Sequence, residues 1–152
     1  MRIDVPRKEE FEEVNRLARQ VHELHVGWRP DIFKSVDYVI EKERYETLIE
    51  LDKIYVMRDG EKIIGYATIE LKEKNSVGMH YRKILDLDAI CIDEAYRGKG
   101  LGTQFMNYLI DLGKKEKCTD LYLNVFEDNE DGIKLYEKVG MRVKNISYSM
   151  KI

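Results

Sequence analysis

The stretch Tyr96-Arg97-Gly98-Lys99-Gly100-Leu101-Gly102-Thr103 decides how this chain reads. Ahead of it lies Ala89-Ile90-Cys91-Ile92, a short apolar run of strand character. Behind it, Leu101, Phe105, Leu109 and Leu112 recur at the three- and four-residue spacing of an amphipathic helix. The order is strand, glycine-rich turn, helix. Alternate glycines strip side chains from the turn, so the backbone can enter conformations closed to other residues and approach a ligand. Successive N–H groups at the positive end of a helix make a seat for phosphate. Arg97 and Lys99 add full positive charge beside it. The stretch is therefore a phosphate-binding turn.

Outward from the turn, residues 83–92 read as the strand that leads in and residues 100–117 as the helix that leads out, its late lysines matching the helix dipole. Asp120-Leu121-Tyr122-Leu123-Asn124-Val125-Phe126 reads as another strand. Asp128 or Asn129 can cap a helix carrying Ile133, Leu135, Tyr136 and Val139, which Gly140 ends. Val143 to Ile152, with apolar alternation at Ile146, Tyr148, Met150 and Ile152, reads as a final strand. Toward the N-terminus, Asp59-Gly60 separates strand-like runs 54–57 and 62–71, a strong hairpin signal. Residues 72–80 read as a loop. Helices are expected over about 7–26 and 36–49, the second capped by Ser35, and a short strand over 2–5. Helices early, a hairpin, then strand–helix–strand–helix–strand describes a mixed α/β fold around one sheet.

Composition narrows the function. The 152 residues suit one domain. Lys plus Arg number 26 against 29 Asp plus Glu, without the basic excess of a nucleic-acid surface. No apolar run approaches the ~20 residues that span a bilayer, and the N-terminus lacks a signal-peptide core, so no membrane partner and a cytoplasmic location are expected. Cys91 and Cys118 lack metal-like spacing, and His22 and His25 stand without further ligands, so no metal is expected.

Neither common nucleotide fingerprint fits: the dinucleotide pattern needs glycine where Thr103 stands, and the P-loop spacing is absent. Arg97-Gly98-Lys99-Gly100-Leu101-Gly102 instead resembles the acyl-CoA turn of the GNAT superfamily of N-acetyltransferases, which has Arg or Gln, two residues, Gly, one residue, then Gly or Ala. Asn129 through Met141 resembles that family's later motif: an Asn, a small residue three on, Leu-Tyr, then Lys and Gly-Phe. Gly132 replaces the usual Ala and Met141 the usual Phe. The two motifs stand in the family's order over about Leu85 to Met141, and the preceding hairpin fits as well.

The resemblance implies a single GNAT domain over residues 1–152, with a mostly antiparallel twisted sheet of six or seven strands flanked by about four helices. It implies acetyl-CoA as acyl donor, pantetheine lying along Ile90, Cys91 and Ile92, and pyrophosphate on the amides of Arg97, Gly98, Lys99, Gly100, Leu101, Gly102 and Thr103. Asn129 caps its helix or bonds a ligand amide. Tyr136 is the expected acid for the departing thiolate, with packing in the core as the plain alternative. Asp86 and Asp88, two apart on a strand and so on one face, are candidate bases for the attacking amine, against a solvated or structural role. Trp28 and Arg29, and separately His80, are candidate walls of the acceptor site. Cys91 invites a covalent reading that its apolar strand argues against. The partner is an amine-bearing small molecule or protein, not nucleic acid, and homodimers are common among similar enzymes. The alternative function is an acyl-CoA-binding regulatory module without turnover.

Overall fold

The computed structural model describes all residues, 1–152. Five strands form one sheet in the order β1-β2-β3-β4-β5: β1 Arg2–Asp4, β2 Ile54–Asp59, β3 Lys62–Lys74, β4 Arg82–Ile92 and β5 Asp120–Leu123. The first four are mutually antiparallel, and β5 runs parallel to β4 after the crossover through a helix. The helices are α1 Phe11–Trp28, α2 Lys42–Glu50, α3 Leu101–Lys115 and α4 Glu130–Lys138. This is the expected mixed α/β architecture with four helices, but with five strands instead of six or seven.

Strand alternation sends side chains to both faces of the sheet, and each face is covered. Ile54, Val56, Ile63, Tyr66 and Cys91 meet Val14, Leu17 and Ala18 of α1 and Tyr45 and Leu48 of α2. The intervening Tyr55, Met57, Ile64, Ala67 and Ile69, with Leu85 and Leu87, meet Leu101, Phe105, Met106 and Leu109 of α3. Asp59-Gly60 does turn the β2–β3 hairpin, with Gly60 at φ 60°. β3 runs three residues past Leu71, because Lys72, Glu73 and Lys74 pair with β4 despite their charge.

Two expectations are corrected. The second helix begins at Lys42, not near residue 36. The reason is Asn15, fully buried on α1: its side-chain oxygen accepts from the amides of Val39 and Ile40, and its nitrogen donates to the Ile40 carbonyl at 3.1 Å. Those backbone groups satisfy a distant side chain and not a helical turn. The final strand over 143–152 is also absent. Its residues make no backbone hydrogen bond with any strand, since alternation favours a strand but a ladder needs a neighbour.

Candidate active site

The chain approaches the turn along β4, and β4 is not straight. Thr68 pairs with Ala89 while Ile69 pairs with Leu87, so Asp88 is an extra residue bulged out of the ladder. Pairing with β5 stops at Leu87–Leu123, though β4 continues to Ile92. The two strands therefore part, and Asp88 to Ile92 have no strand on their β5 side. Ile90, Cys91 and Ile92 line that opening. Burial pushes the Cys91 thiol up to about 11, so it stays protonated and is a poor nucleophile at neutral pH.

Beyond Ile92 the backbone turns through Gly98 and Gly100, both at φ 76°, where a side chain would be strained. Gly100 is the N-cap of α3 and carries no side-chain cap. The amides of Gly98, Lys99, Gly100, Leu101, Gly102 and Thr103 donate to no group of the chain. That is a concave run of donors at a helix N-terminus, suited to a pyrophosphate. Gly102 serves a different purpose. A Cβ there would lie 3.1 Å from Leu135 Cδ2, so its hydrogen lets α4 close on the first turn of α3. Around the donors sit Lys99 and, unexpectedly, Lys62 from the start of β3, each about 5 Å from the Tyr96 ring centroid. Arg97 folds back, its Nε donating to the Ile92 carbonyl at 2.9 Å.

The turn is clamped from behind. Asp93, buried directly after β4, accepts from Arg16 at 2.8 Å, from Gln20 at 3.4 Å and from the Ala95 amide at 3.2 Å. Burial alone would raise this carboxyl, but the Arg16 guanidinium and the other two donors outweigh it and hold it below the usual range. Gln20 also accepts from the Glu94 amide. The sequence marks Asp93 only as a polar residue closing an apolar run, and nothing in it points to Arg16, 77 positions away.

Tyr136 stands on α4, the helix that Gly102 admits. Its ring packs on the α3-side core, and burial raises its phenol above the ordinary value. Its hydroxyl bonds to no protein group and is not sealed from solvent. Asn129 caps α4, its oxygen accepting from the Gly132 amide at 2.9 Å, and a Cβ at Gly132 would fall within 2.8 Å of that same side chain. The departure from alanine at 132 thus makes room for the cap.

The remaining candidates separate. Trp28 ends α1 and Arg29 caps it, beside His25, which meets Trp28, Phe33 and Phe126 at centroid distances of 5.3–5.6 Å. Phe33 and Phe126 were not singled out by sequence, and they complete an aromatic wall beyond the end of β5. Burial first, then the neighbouring His22, lowers the His25 pKa, which keeps its ring neutral. Arg29 is held by both oxygens of Asp31. Asp86 is paired with Lys72, while Asp88 on the bulge meets Thr68 at 3.3 Å and Arg44 at 3.5 Å. His80 does not join this group. It precedes the opposite end of β4 from the turn, a strand of eleven residues away, on the order of 30 Å at strand rise.

The role of Gly100 is testable. Gly100→Val should fold with little change, because nothing lies within 4 Å of the added Cβ. The left-handed conformation, however, becomes about 1–2 kcal/mol less favourable. Acetyl-CoA affinity by calorimetric titration should fall about tenfold, and wild-type affinity would show that the turn does not hold the ligand.

Known proteins bear on this geometry. Residues 18–141 match the model of the acetyltransferase (GNAT) family. A spermidine N(1)-acetyltransferase of Escherichia coli K12 is 33% identical over 140 residues, covering 83% of this chain and 68% of that protein. A spermine/spermidine N(1)-acetyltransferase of Bacillus subtilis is 44% identical over 57 residues, a match spanning only 38% of its length. Among solved structures, a tetramutant of the BH1408 protein of Bacillus halodurans superposes with a TM-score of 0.94 at 30% identity, covering both chains fully. The aminoglycoside N-acetyltransferase AAC(6')-Iy, solved with CoA, shares the fold at a TM-score of 0.71 and 14% identity, covering 99% of each chain. The glycine turn, the parted strands and the Asn129 helix all lie inside the matched span, and on that ground the chain belongs to the GNAT family of acetyltransferases.

Proposed function

We propose that this chain transfers an acetyl group from acetyl-CoA directly to a primary amine, and that the amine belongs to a polyamine. The observation that carries the reading is the opening between β4 and β5 ending in six consecutive amides without partners. That shape suits an extended arm with a diphosphate at one end. Acetyl-CoA supplies the thioester there. Turn amides, Lys99 and Lys62 hold the phosphates. As the amine nitrogen bonds to the acetyl carbon and the carbon–sulfur bond breaks, Tyr136 gives its hydroxyl proton to sulfur. The proton leaving the amine passes through water to a carboxylate, for which Asp88 on the bulge is the candidate. Solvent then returns a proton to Tyr136.

The polyamine part rests on the named relatives and on charge. Glu23, Glu127 and Asp128 belong to the segments that build the aromatic wall, where Asp31 is already neutralised by Arg29, and the remaining carboxylates attract a polycation. Thiol release should occur with acetyl-CoA plus spermidine or spermine, at higher kcat/KM than with an aminoglycoside or a peptide N-terminus. Turnover without that preference removes the polyamine assignment. Binding without thiol release on any amine leaves an acyl-CoA-binding module.

Ligand linkage gives an independent check. At about 100 times its Kd a ligand adds about 2.7 kcal/mol, which for a chain this size raises Tm by roughly 5–10 °C. Acetyl-CoA and CoA should both do so. An equal rise with ATP would indicate a general nucleotide site.

A further inference from the structure

Glycines make the donor turn easy to shape and hard to hold. Gly98 and Gly100 take a positive φ, residues 97–100 are exposed, and nothing lies within 4 Å of where a Cβ would stand at either glycine. The middle of the turn is therefore not held by packing at its glycines. Ordering a glycine-rich loop costs more conformational entropy than ordering other backbone, and a ligand that had to do so would bind more weakly. Order must come from the two ends. At one end Leu101 is buried in the first turn of α3. At the other, Glu94–Tyr96 form a single helical turn, with the Tyr96 ring against the α3-side core.

The backbone of that single turn is gripped by α1. Arg16 and Gln20 lie four apart on α1 and so on one side of it. Arg16 uses all its guanidinium nitrogens: Nε meets Glu13 at 3.2 Å, Nη1 meets Asp93 at 2.8 Å and Nη2 donates to the Ile63 carbonyl at 3.3 Å. Asp93, fixed in this way, accepts from the Ala95 amide through its side chain and from the Tyr96 amide through its carbonyl at 2.8 Å. Gln20 accepts from the Glu94 amide at 3.0 Å. Each amide of Glu94–Tyr96 thus ends on Gln20 or on Asp93, and none of the free amides of residues 98–103 is consumed. We propose that Arg16 and Gln20 are positioning residues for the donor: through Asp93 and the Glu94 amide they hold the turn ready, so that acetyl-CoA meets amides already in order. The inference rests on the reading that the turn seats the diphosphate of acetyl-CoA. Donor and product share that diphosphate, so the effect is equal for acetyl-CoA and CoA and absent from the chemical step.

Gln20→Leu is the main test. Gln20 is half-buried, and the Glu94 amide it releases lies at the surface, where water replaces the lost bond, so the fold and the Tm without ligand should hardly change. Calorimetric titration should show Kd rising about tenfold for both CoA and acetyl-CoA, the scale of one residue's backbone order. With spermidine as acceptor, KM for acetyl-CoA should rise likewise, while kcat at saturating acetyl-CoA stays at the wild-type value. Arg16→Met strands the buried Asp93 carboxylate and should lower Tm, and adding Asp93→Asn removes that charge and restores stability. The double variant should nevertheless bind CoA about tenfold more weakly, because the tie to α1 is still missing. A folded Gln20→Leu with wild-type Kd for CoA overturns the proposal and leaves the diphosphate reading intact. So does a fall in kcat with unchanged Kd. A wild type that binds neither CoA nor acetyl-CoA overturns both. Should Gln20→Leu misfold, the double variant decides: affinity that returns together with stability makes the Arg16–Asp93 pair purely structural and overturns the proposal.

Discussion

Tyr136→Phe should leave the chain folded and able to bind acetyl-CoA while slowing turnover about 10²-fold, the lower scale for losing a positioned acid. The substitution removes one oxygen and keeps the ring against the α3-side core. No protein group loses a hydrogen bond, because the hydroxyl makes none within the chain. Stability should therefore hardly move. The chemistry requires a group that carries a proton at neutral pH, and burial, by raising the phenol above its ordinary value, keeps the proton in place. The measurement is kcat and the KM for acetyl-CoA with an accepted amine, taken from pH 6 to about 9. A fall in kcat with unchanged KM identifies an interaction made during the reaction and not in binding. Unchanged kcat would assign the ring to packing and the acid to water.

The turn was legible because its signals are local. Strand, alternate glycines and helix fall within about thirty residues, and each glycine restricts its own backbone. Even so, sequence assigned one role to three glycines where the structure assigns two. Gly98 and Gly100 need their positive φ, and Gly102 makes room for Leu135 on another helix. The hairpin was legible for the same local reason. What escaped depends on partners far along the chain. Asn15 holds Val39 and Ile40, 24 and 25 positions away, and so delays the second helix. Arg16 fixes Asp93, and Phe33 meets Phe126. His80 looked like a rim residue because a loop precedes the central strand, but which end of that strand faces the site depends on the strand's length and direction. The terminal segment shows the reverse failure, a local strand pattern for which the chain supplies no ladder.

Arg58→Met should cost about 3 kcal/mol, the lower end for breaking a buried ion pair by removing one partner. For a chain this size that is a fall in Tm of roughly 6–12 °C. Arg58, on β2 with a side chain only 2% exposed, donates two bonds to Glu10 at 2.7 and 2.8 Å and one to Asp4 at 2.8 Å. It thereby ties β1 and the turn ahead of α1 to the sheet. Methionine fills similar space but leaves Glu10, 11% exposed, without its main partner. Arg7 still reaches Glu10 through its amide and guanidinium, which is why the lower end applies. Glu10→Gln in the same background removes the stranded charge, so the double variant should recover part of the loss, and the cycle of four proteins isolates the pair. The pH dependence has a definite sign. The bonds from Arg58 come first among the causes that lower the Glu10 pKa below 4.5, outweighing burial. A carboxyl lowered in the folded state stabilises above its unfolded pKa and loses that contribution as pH falls through the folded value. The gap in Tm between wild type and Arg58→Met should therefore be full at pH 7 and narrow steadily below about pH 4.5. A gap independent of pH would mean that Arg58 acts through packing of its stem and not through its charge.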